Sequence, residues 1–292
     1  MASETLTLEC RHCEAGNRIP VERALKDLRA ILCGRCAGRL LRVDGERLSD
    51  LTDDDLAHPW DREALAKLRA VPMADKLLSR VFSGTLDKVA RFRHLAGAVR
   101  VSDQQLPTLH RLHLEAAHRL DVEAPPLFVS QSPVLNAFAV GAGTPFVTIT
   151  SALVDSLEDR ELVAVLGHEL THIRLGHTLY RTLALIMIQG GLGVADRMLG
   201  IAGLLATPVK VALMRWYQMS ELSADRGGLL AVGDIDVHVR TEMKLAGGTS
   251  RFAAELDPQA FIDQAREADE ARDQDVLLHV MELLDSSNRS HP

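Results

Sequence analysis

The stretch Glu161-Leu-Val-Ala-Val-Leu-Gly-His168-Glu169-Leu-Thr-His172-Ile-Arg-Leu-Gly-His177 governs the interpretation of the whole chain. At its centre lies the pattern H-E-x-x-H. Because residues four apart lie on one face of a helix, His168 and His172 can direct their imidazole nitrogens at one metal ion. Glu169 follows the first of these histidines, and its carboxylate can reach a metal-bound water without being a ligand. The pattern therefore predicts a zinc site of the metalloprotease kind.

The residues around this pattern favour a buried helix. Apolar side chains recur through the stretch at helical spacing. Ser156 or Asp155 is a candidate cap for the start of the helix, and Gly176 is a candidate stop. The alternative is an ordinary core helix that carries two hydrogen-bonded histidines.

The composition is that of a globular protein. The chain has 292 residues, of which 47% are hydrophobic and 25% are charged, so it can bury one large core or two. The net charge of -7 argues against nucleic acid as a partner, because phosphate binding needs clustered positive charge. The first residues show no apolar core of a signal peptide, which predicts a cytoplasmic location.

All four cysteines lie near the N-terminus as two C-x-x-C pairs, Cys10 with Cys13 and Cys33 with Cys36. This spacing predicts a structural zinc site with four thiolate ligands, in which the metal stabilises a segment too short for a core of its own. A redox dithiol or a pair of disulfides is the alternative. We predict a zinc ribbon over residues 1–45, which resembles the ribbon at the N-terminus of some bacterial thioredoxins.

An acidic linker is predicted over residues 46–58, with Asp53-Asp54-Asp55 as a solvated run of charge. The remaining residues, 59–292, are predicted to form the second domain. Amphipathic helices are predicted at 61–70, 76–94 and 106–120, and the histidines of the third are interpreted as exposed. Short β-branched runs before the H-E-x-x-H stretch, at 125–129, 136–140 and 146–150, predict a small sheet.

An almost uncharged region at 182–209 follows the metal-binding stretch. It consists of two apolar runs separated by Asp196-Arg197, and each run is shorter than the roughly 18 residues expected of a membrane-spanning helix. A pair of buried helices and a hairpin that enters a membrane both remain open. Membrane association through this region is therefore retained as an alternative.

Glu221 and Asp225 are a second chemically informative pair. They are four residues apart and share a helix face, so Glu221 can supply a third zinc ligand from a second helix. Asp225 can accept a hydrogen bond from a ligand imidazole and fix its tautomer. Without the H-E-x-x-H pattern, an ordinary solvated acidic pair would be the better interpretation.

Taken together, these motifs resemble the HtpX-like zinc metallopeptidases, a gluzincin family that also contains the CAAX prenyl endopeptidase. The resemblance covers the chain from about Trp60 onward and includes Asn136-Ala137-Phe138, the H-E-x-x-H stretch and Glu221-Leu-Ser-Ala-Asp225-Arg226. It implies an α+β, mostly helical peptidase domain with a small edge sheet, preceded here by the ribbon. It also implies His168, His172 and Glu221 as zinc ligands, and Asn136, Ala137 and Phe138 as an edge that binds extended peptides.

Ser290-His291-Pro292 resembles a late segment of the same family, whose histidine can approach the zinc. His291 and Tyr217 are therefore candidate donors to the oxyanion. The expected function is that of a zinc-dependent endopeptidase acting on peptides or proteins, with Glu169 as general base and two zinc ions per chain, and with protein quality control as a candidate role. The alternatives are a membrane-embedded protease acting on membrane or lipidated proteins, and a non-catalytic adaptor in which the ribbon recruits a protein partner.

Overall fold

The computed structural model describes residues 5–10, 13–20, 31–37, 40, 51–70, 85–141, 143–182, 184, 207–247 and 250–274. The strands are β1 (Thr5–Glu9), β2 (Gly16–Pro20), β3 (Val99–Arg100), β4 (Leu127–Ser130), β5 (Ala137–Val140) and β6 (Phe146–Thr150). The helices are α1 (Asp53–Leu56), α2 (Pro59–Arg69), α3 (Thr85–Gly97), α4 (Pro107–Arg119), α5 (Ser151–Ser156), α6 (Asp159–Arg174), α7 (Thr207–Val232), α8 (Ile235–Ala246) and α9 (Pro258–Gln274), with a 3₁₀ segment at Ser250–Glu255. The predicted class, α+β and mostly helical, is confirmed.

The N-terminal unit is built on the antiparallel pair of β1 and β2, in which Thr5 lies opposite Pro20 and Glu9 opposite Gly16. A small apolar cluster centred on Ile19 and Ile31 supports the pair. Asn17 connects the two cysteine-bearing turns: its amide nitrogen donates to the carbonyl of Ala15 at 2.7 Å, and its amide oxygen accepts from the backbone of Gly34 at 2.9 Å. The turns are therefore held together by protein contacts as well as by whatever the thiols bind.

The predicted linker at 46–58 differs from the structure in its second half. Thr52 caps α1, whose residue Leu56 is fully buried in the main hydrophobic core. Arg174, which ends the metal-binding helix, donates to Asp53 at 2.9 Å and also contacts the carbonyl of Leu51. The three aspartates are exposed as predicted, but the chain around them packs on the second domain. We propose that this domain begins before Leu51.

The main sheet has the strand order β3-β4-β6-β5. β4 runs parallel to β6, whereas β3 and β5 pair antiparallel with their neighbours. All five residues of β6 are buried, as expected of a strand covered on both faces. β5 is an outer strand of the sheet and contacts α6, so the sheet presents one of its edges beside the metal-binding helix.

Helix α6 carries the H-E-x-x-H pattern and begins at Asp159, later than the predicted caps. Ser156 and Asp155 instead belong to the short helix α5. Glu158 is the cap residue of α6, and its backbone N–H donates to the Glu161 carboxylate at 2.8 Å. Gly176 follows the helix with φ at +69°, a left-handed conformation that glycine adopts without strain, so its predicted role at the helix end is consistent with the structure.

The closest packing of two helices in the described fold joins α6 to α7, and three glycines permit it. A Cβ added at Gly227 would lie 1.7 Å from the hydroxyl oxygen of Thr171, and one at Gly167 would lie 2.3 Å from the Cβ of Ala231. A Cβ at Gly228 would lie 2.9 Å from a backbone oxygen of α6. No side chain fits at these contacts, and the two backbones therefore approach closely enough for side chains from both helices to meet.

His113 on α4 is buried, contrary to the prediction that it is an exposed surface histidine. Its Nε2 lies 2.8 Å from the carbonyl oxygen of Pro125, and burial lowers its pKa. The helix turns this position inward together with Leu109 and Leu112, and the carbonyl supplies the hydrogen bond that makes a buried histidine tolerable. His113 is therefore a structural residue.

The apolar region at 182–209 lies outside the described residues, apart from 182, 184 and 207–209. Within the described part of the chain, every helix is too short or too polar to cross a membrane.

Replacing Gly227 with alanine tests the packing of α6 on α7. We expect the free energy of unfolding to fall by at least about 1–3 kcal/mol, the usual cost of overpacking a core, because the new methyl group overlaps Thr171. Chemical denaturation provides the measurement. Gly97→Ala is the matched control, since a Cβ there meets nothing within 4 Å. An equal effect of the two substitutions would contradict the close approach.

Candidate active site

Three side chains from two helices bring their metal-binding atoms together. The Nε2 atoms of His168 and His172 are 3.2 Å apart. Glu221 on α7 places Oε2 at 3.3 Å from the Nε2 of His168 and Oε1 at 3.7 Å from that of His172. Zinc bonds of about 2.0–2.2 Å in a tetrahedral shell require ligand atoms roughly 3.3–3.6 Å apart. The spacing therefore matches a zinc site with two nitrogens and one carboxylate.

The hydrogen bonds around His168 leave its Nε2 directed at this centre. Its Nδ1 lies 2.9 Å from Oδ1 of Asp225, one turn beyond Glu221 on α7. A carboxylate can only accept, so Nδ1 carries the proton and Nε2 keeps its lone pair for a metal. This is the outer contact predicted from the four-residue spacing of Glu221 and Asp225.

The electrostatics of the site favour a bound cation. Both carboxylate oxygens of Glu169 and Oε2 of Glu221 are buried, and none has a hydrogen-bond partner. Burial would lower the pKa of His168, but the contacts with Asp225 and Glu221 outweigh it and hold that pKa well above its ordinary value. Unpaired buried acceptors and a raised imidazole pKa are what a site built for a positive charge shows when only the protein's own groups act. The residues present therefore fit zinc.

Glu169 is fully buried beside these ligands without being one of them. Its Oε1 is 4.0 Å from Nε2 of His168. Burial raises its pKa, an effect that Arg181 and His168 partly oppose. The backbone N–H of Ala139 on β5 also acts on this carboxylate. Glu169 thus lies between the metal ligands and the edge of the sheet, where a base for a metal-bound water is needed.

The second histidine has partners that the sequence did not indicate. Nδ1 of His172 lies 3.1 Å from Nδ1 of His177, and Nε2 of His177 lies 3.1 Å from Oδ2 of Asp61 on α2. His177 was part of the quoted stretch, yet it stands in the turn beyond α6, where helical spacing gives no indication of its direction. Asp61 is more than a hundred residues away along the chain. Only the packing of α2 on α7 places it there.

Arg181 is the other residue that sequence reasoning missed. Its guanidinium is buried, donates to Nε2 of His172 at 2.6 Å and contacts Oε1 of Glu221. It also lies over the ring of Tyr217, with 5.1 Å between Cζ and the ring centroid. Burial raises the pKa of Tyr217 to about 12, so this phenol remains a hydrogen-bond donor at neutral pH. The four-residue spacing of His177 and Arg181 was the available signal, since helical residues four apart share a face.

The four cysteines form a second potential metal site. The Sγ atoms of Cys10 and Cys36 are 3.5 Å apart, and those of Cys13 and Cys33 are 3.6 Å apart. These distances exceed the roughly 2.05 Å of a disulfide bond and approach the roughly 3.8 Å between thiolates on tetrahedral zinc. Backbone N–H groups of Cys36 and Arg35 lower the pKa of Cys33 to about 6, which favours the thiolate that a metal needs. The disulfide alternative is not supported.

The remaining predicted site residues are placed as follows. Ala137 and Phe138 lie on β5, and Asn136 immediately precedes it, with its backbone N–H 3.1 Å from the hydroxyl of Thr150. Residues 290–292, including His291, lie outside the described residues.

Comparison with known proteins shows the lineage of the second domain. Peptidase family M48 matches this chain over residues 103–292. The chain belongs to peptidase family M48. Among relatives of this M48 chain, the plastoglobule-localized metallopeptidase 48, chloroplastic, of Arabidopsis thaliana is 35% identical over 245 residues, or 83% of this chain and 70% of that protein.

Two microbial relatives carry the name Protease HtpX homolog. The protein from Moorella thermoacetica is 30% identical over 180 residues, which cover 53% of this chain and 60% of that protein. The one from Halobacterium salinarum is 28% identical over 193 residues, covering 60% of this chain and 67% of that protein. No solved structure matches the chain.

Membership of the M48 family confirms the resemblance to the HtpX-like zinc metallopeptidases and makes the chain a zinc-dependent endopeptidase. Its substrates are accordingly peptides or proteins. The alternative of a non-catalytic adaptor loses its support. Asp61 lies before the matched region 103–292, although it reaches a metal-binding histidine through His177.

Two zinc ions per chain are expected from the two independent ligand sets, four thiols and His168/His172/Glu221. Metal analysis of the purified chain should give two equivalents, and a Cys10→Ser/Cys13→Ser double substitution should remove one. Because the peptidase ligands come from other elements, the second equivalent should remain. A wild-type chain with a single zinc that is unchanged by the double substitution would contradict the ribbon site.

Proposed function

We propose that this M48 peptidase uses His168, His172 and Glu221 to bind its catalytic zinc, in the H-E-x-x-H…E-x-x-x-D arrangement of a gluzincin. The observation that carries the proposal is the convergence of three ligand atoms from α6 and α7 at the spacing of a zinc shell. When bound, zinc polarises the scissile carbonyl and lowers the pKa of its water.

In the proposed mechanism, Glu169 handles the proton. Its carboxylate accepts a proton from the attacking water and then delivers that proton to the leaving amine. Two features support this role: full burial beside the ligands and carboxylate oxygens without hydrogen-bond partners. A pKa raised by burial brings the group closer to neutrality, where a general base is most effective.

We propose that an extended substrate pairs with the outer edge of β5. In the antiparallel pair with β6, the carbonyl of Asn136 accepts from the backbone of Thr150. Because backbone groups alternate along such a strand, those of Ala137 and Ala139 point away from β6. The backbone of Ala139 faces Glu169. A peptide added there, by the β-augmentation used in many peptide-binding proteins, would lie beside the proposed base.

The developing oxyanion needs a hydrogen-bond donor. We propose Tyr217, which is buried one helical turn before Glu221 and is kept protonated by a pKa of about 12. Arg181, which lies over its ring, adds a fixed positive charge nearby. His291 remains the other candidate, on the resemblance alone.

The biological setting is proposed from the relatives and the sequence together. Relatives named HtpX homologs support a role in protein quality control, with the ribbon recruiting a protein partner. We propose a cytoplasmic location, and membrane association through 182–209 remains the alternative. Fractionation of the untagged chain decides between them: retention in the membrane pellet through high-salt and carbonate washes would contradict the cytoplasmic location.

Glu169→Gln tests the mechanism. We expect the rate of peptide cleavage to fall by at least about 100-fold, the usual scale of general-base effects, while the zinc content stays at the wild-type value. The reason is that glutamine keeps the size of the side chain but cannot accept the proton. Cleavage of an unbiased peptide library, with and without a chelator, provides the measurement.

Asp159→Asn is the matched control, because it removes an exposed carboxylate from the first turn of the same helix. That variant should cleave at the wild-type rate. If Glu169→Gln also retains a near wild-type rate, the proposed base is wrong. If it loses its zinc together with its activity, Glu169 acts as a ligand instead.

A further inference from the structure

His172 and His168 are supported in different ways, and the difference points to a residue outside the family-matched region. His168 contacts a carboxylate directly, Asp225. His172 contacts a second imidazole, that of His177, which in turn contacts the carboxylate of Asp61. The three members of this relay, His172, His177 and Asp61, are at most 2% exposed. Buried polar groups in such a row must be satisfied by one another.

The chemistry of the three groups fixes the positions of the protons. If His172 binds the metal through Nε2, its Nδ1 carries the proton and donates to Nδ1 of His177 over 3.1 Å. The Nδ1 of His177 must then be the acceptor, so its proton is on Nε2. That Nε2–H donates to Oδ2 of Asp61, also over 3.1 Å. One arrangement of protons satisfies both contacts, and it is the one that directs the lone pair of His172 at the metal.

Asp61 is itself held in place by α7. The hydroxyl of Ser223 donates to Oδ2 of Asp61 at 2.5 Å, and the same hydroxyl oxygen accepts from the backbone of His58 at 2.9 Å. The ring of Trp216 packs edge-on against His177, with 5.4 Å between centroids and 87° between planes. Burial would raise the pKa of Asp61, but the contact with His177 and the hydroxyl of Ser223 keep it below the usual value, so the carboxylate stays charged. The carboxylate and the middle imidazole of the relay are therefore both held in fixed positions.

We propose that Asp61, acting through His177, is a positioning residue for the zinc ligand His172, and that helix α2 is thereby part of the metal site. This inference rests on the proposed function, since it presupposes that His172 binds zinc. It implies that the working peptidase unit begins before the region 103–292 that the family match covers. Outer hydrogen-bond partners of this kind orient a ligand imidazole and raise its basicity.

Two substitutions of His177 separate its two contacts. In His177→Asn, the new side chain places an amide oxygen near the former Nδ1, so it can still accept from His172 but cannot reach Asp61. In His177→Gln, the new side chain places an amide nitrogen near the former Nε2, so it can still donate to Asp61 but offers His172 no acceptor at the Nδ1 position. Asp61→Asn removes the charge at the far end. Glu63→Gln is the control, an exposed carboxylate paired with Lys67 on the same helix.

The readout is the zinc affinity of the full chain, measured by metal analysis after dialysis against a series of chelator-buffered zinc concentrations. The thiolate site of the ribbon is the internal reference and should not change. We expect Asp61→Asn and His177→Gln to bind the peptidase zinc about 10–100-fold more weakly, the usual cost of losing an outer partner. Glu63→Gln should match the wild type, and His177→Asn should fall between. In the double variant Asp61→Asn/His177→Gln the losses should not add, because both break one relay.

A spectroscopic readout excludes a merely structural role. The visible absorption of the cobalt-substituted peptidase site should shift in Asp61→Asn, while the spectrum of the Glu63→Gln control stays at that of the wild type. Wild-type zinc affinity and an unchanged cobalt spectrum in Asp61→Asn would overturn the inference and leave the proposed function intact. A wild-type chain that binds no zinc through His168, His172 and Glu221 would overturn the proposed function itself.

Discussion

The close approach of α6 and α7 is the constraint on which the rest of the structure depends. Gly167 and Gly227 leave no room for a Cβ, so the backbones meet where a pair of ordinary helices would be held apart by side chains. That distance lets Glu221 reach the two histidines of α6 and lets Asp225 reach Nδ1 of His168. Had the helices been further apart, the sequence motifs would be present but the ligand atoms would not converge.

A second constraint is electrostatic. The centre gathers the buried carboxylates of Glu169, Glu221 and Asp61, and Arg181 is a buried cation set among the first two. Burying like charges together is costly unless opposite charge compensates them. Burial alone would raise the pKa of Glu221, but Arg181 and the two histidines hold it well below its usual value. A divalent metal supplies further positive charge, which explains why the protein groups alone leave acceptors unpaired.

The sequence predicts those parts of the site that obey local periodicity. His168 and His172, and Glu221 with Asp225, are each four residues apart on one helix, and their spacing alone indicated their common direction. The relay to Asp61 could not be predicted in this way, because it joins a turn to a distant helix through tertiary packing. The same cause explains the linker: Leu56 looks isolated in an acidic run, and only the core reveals what it packs against. His113 was misassigned because periodicity does not show that a carbonyl of another segment pairs with it.

The central claim is that zinc is bound by two histidines of α6 and the glutamate of α7. Anomalous diffraction from crystals of the full chain, with data on both sides of the zinc absorption edge, tests it most directly. The account predicts one anomalous peak about 2.0–2.2 Å from Nε2 of His168, Nε2 of His172 and a carboxylate oxygen of Glu221, and a second peak about 2.3 Å from the four thiolates. Zinc at the thiolates alone, with the guanidinium of Arg181 remaining between His172 and Glu221, would contradict it.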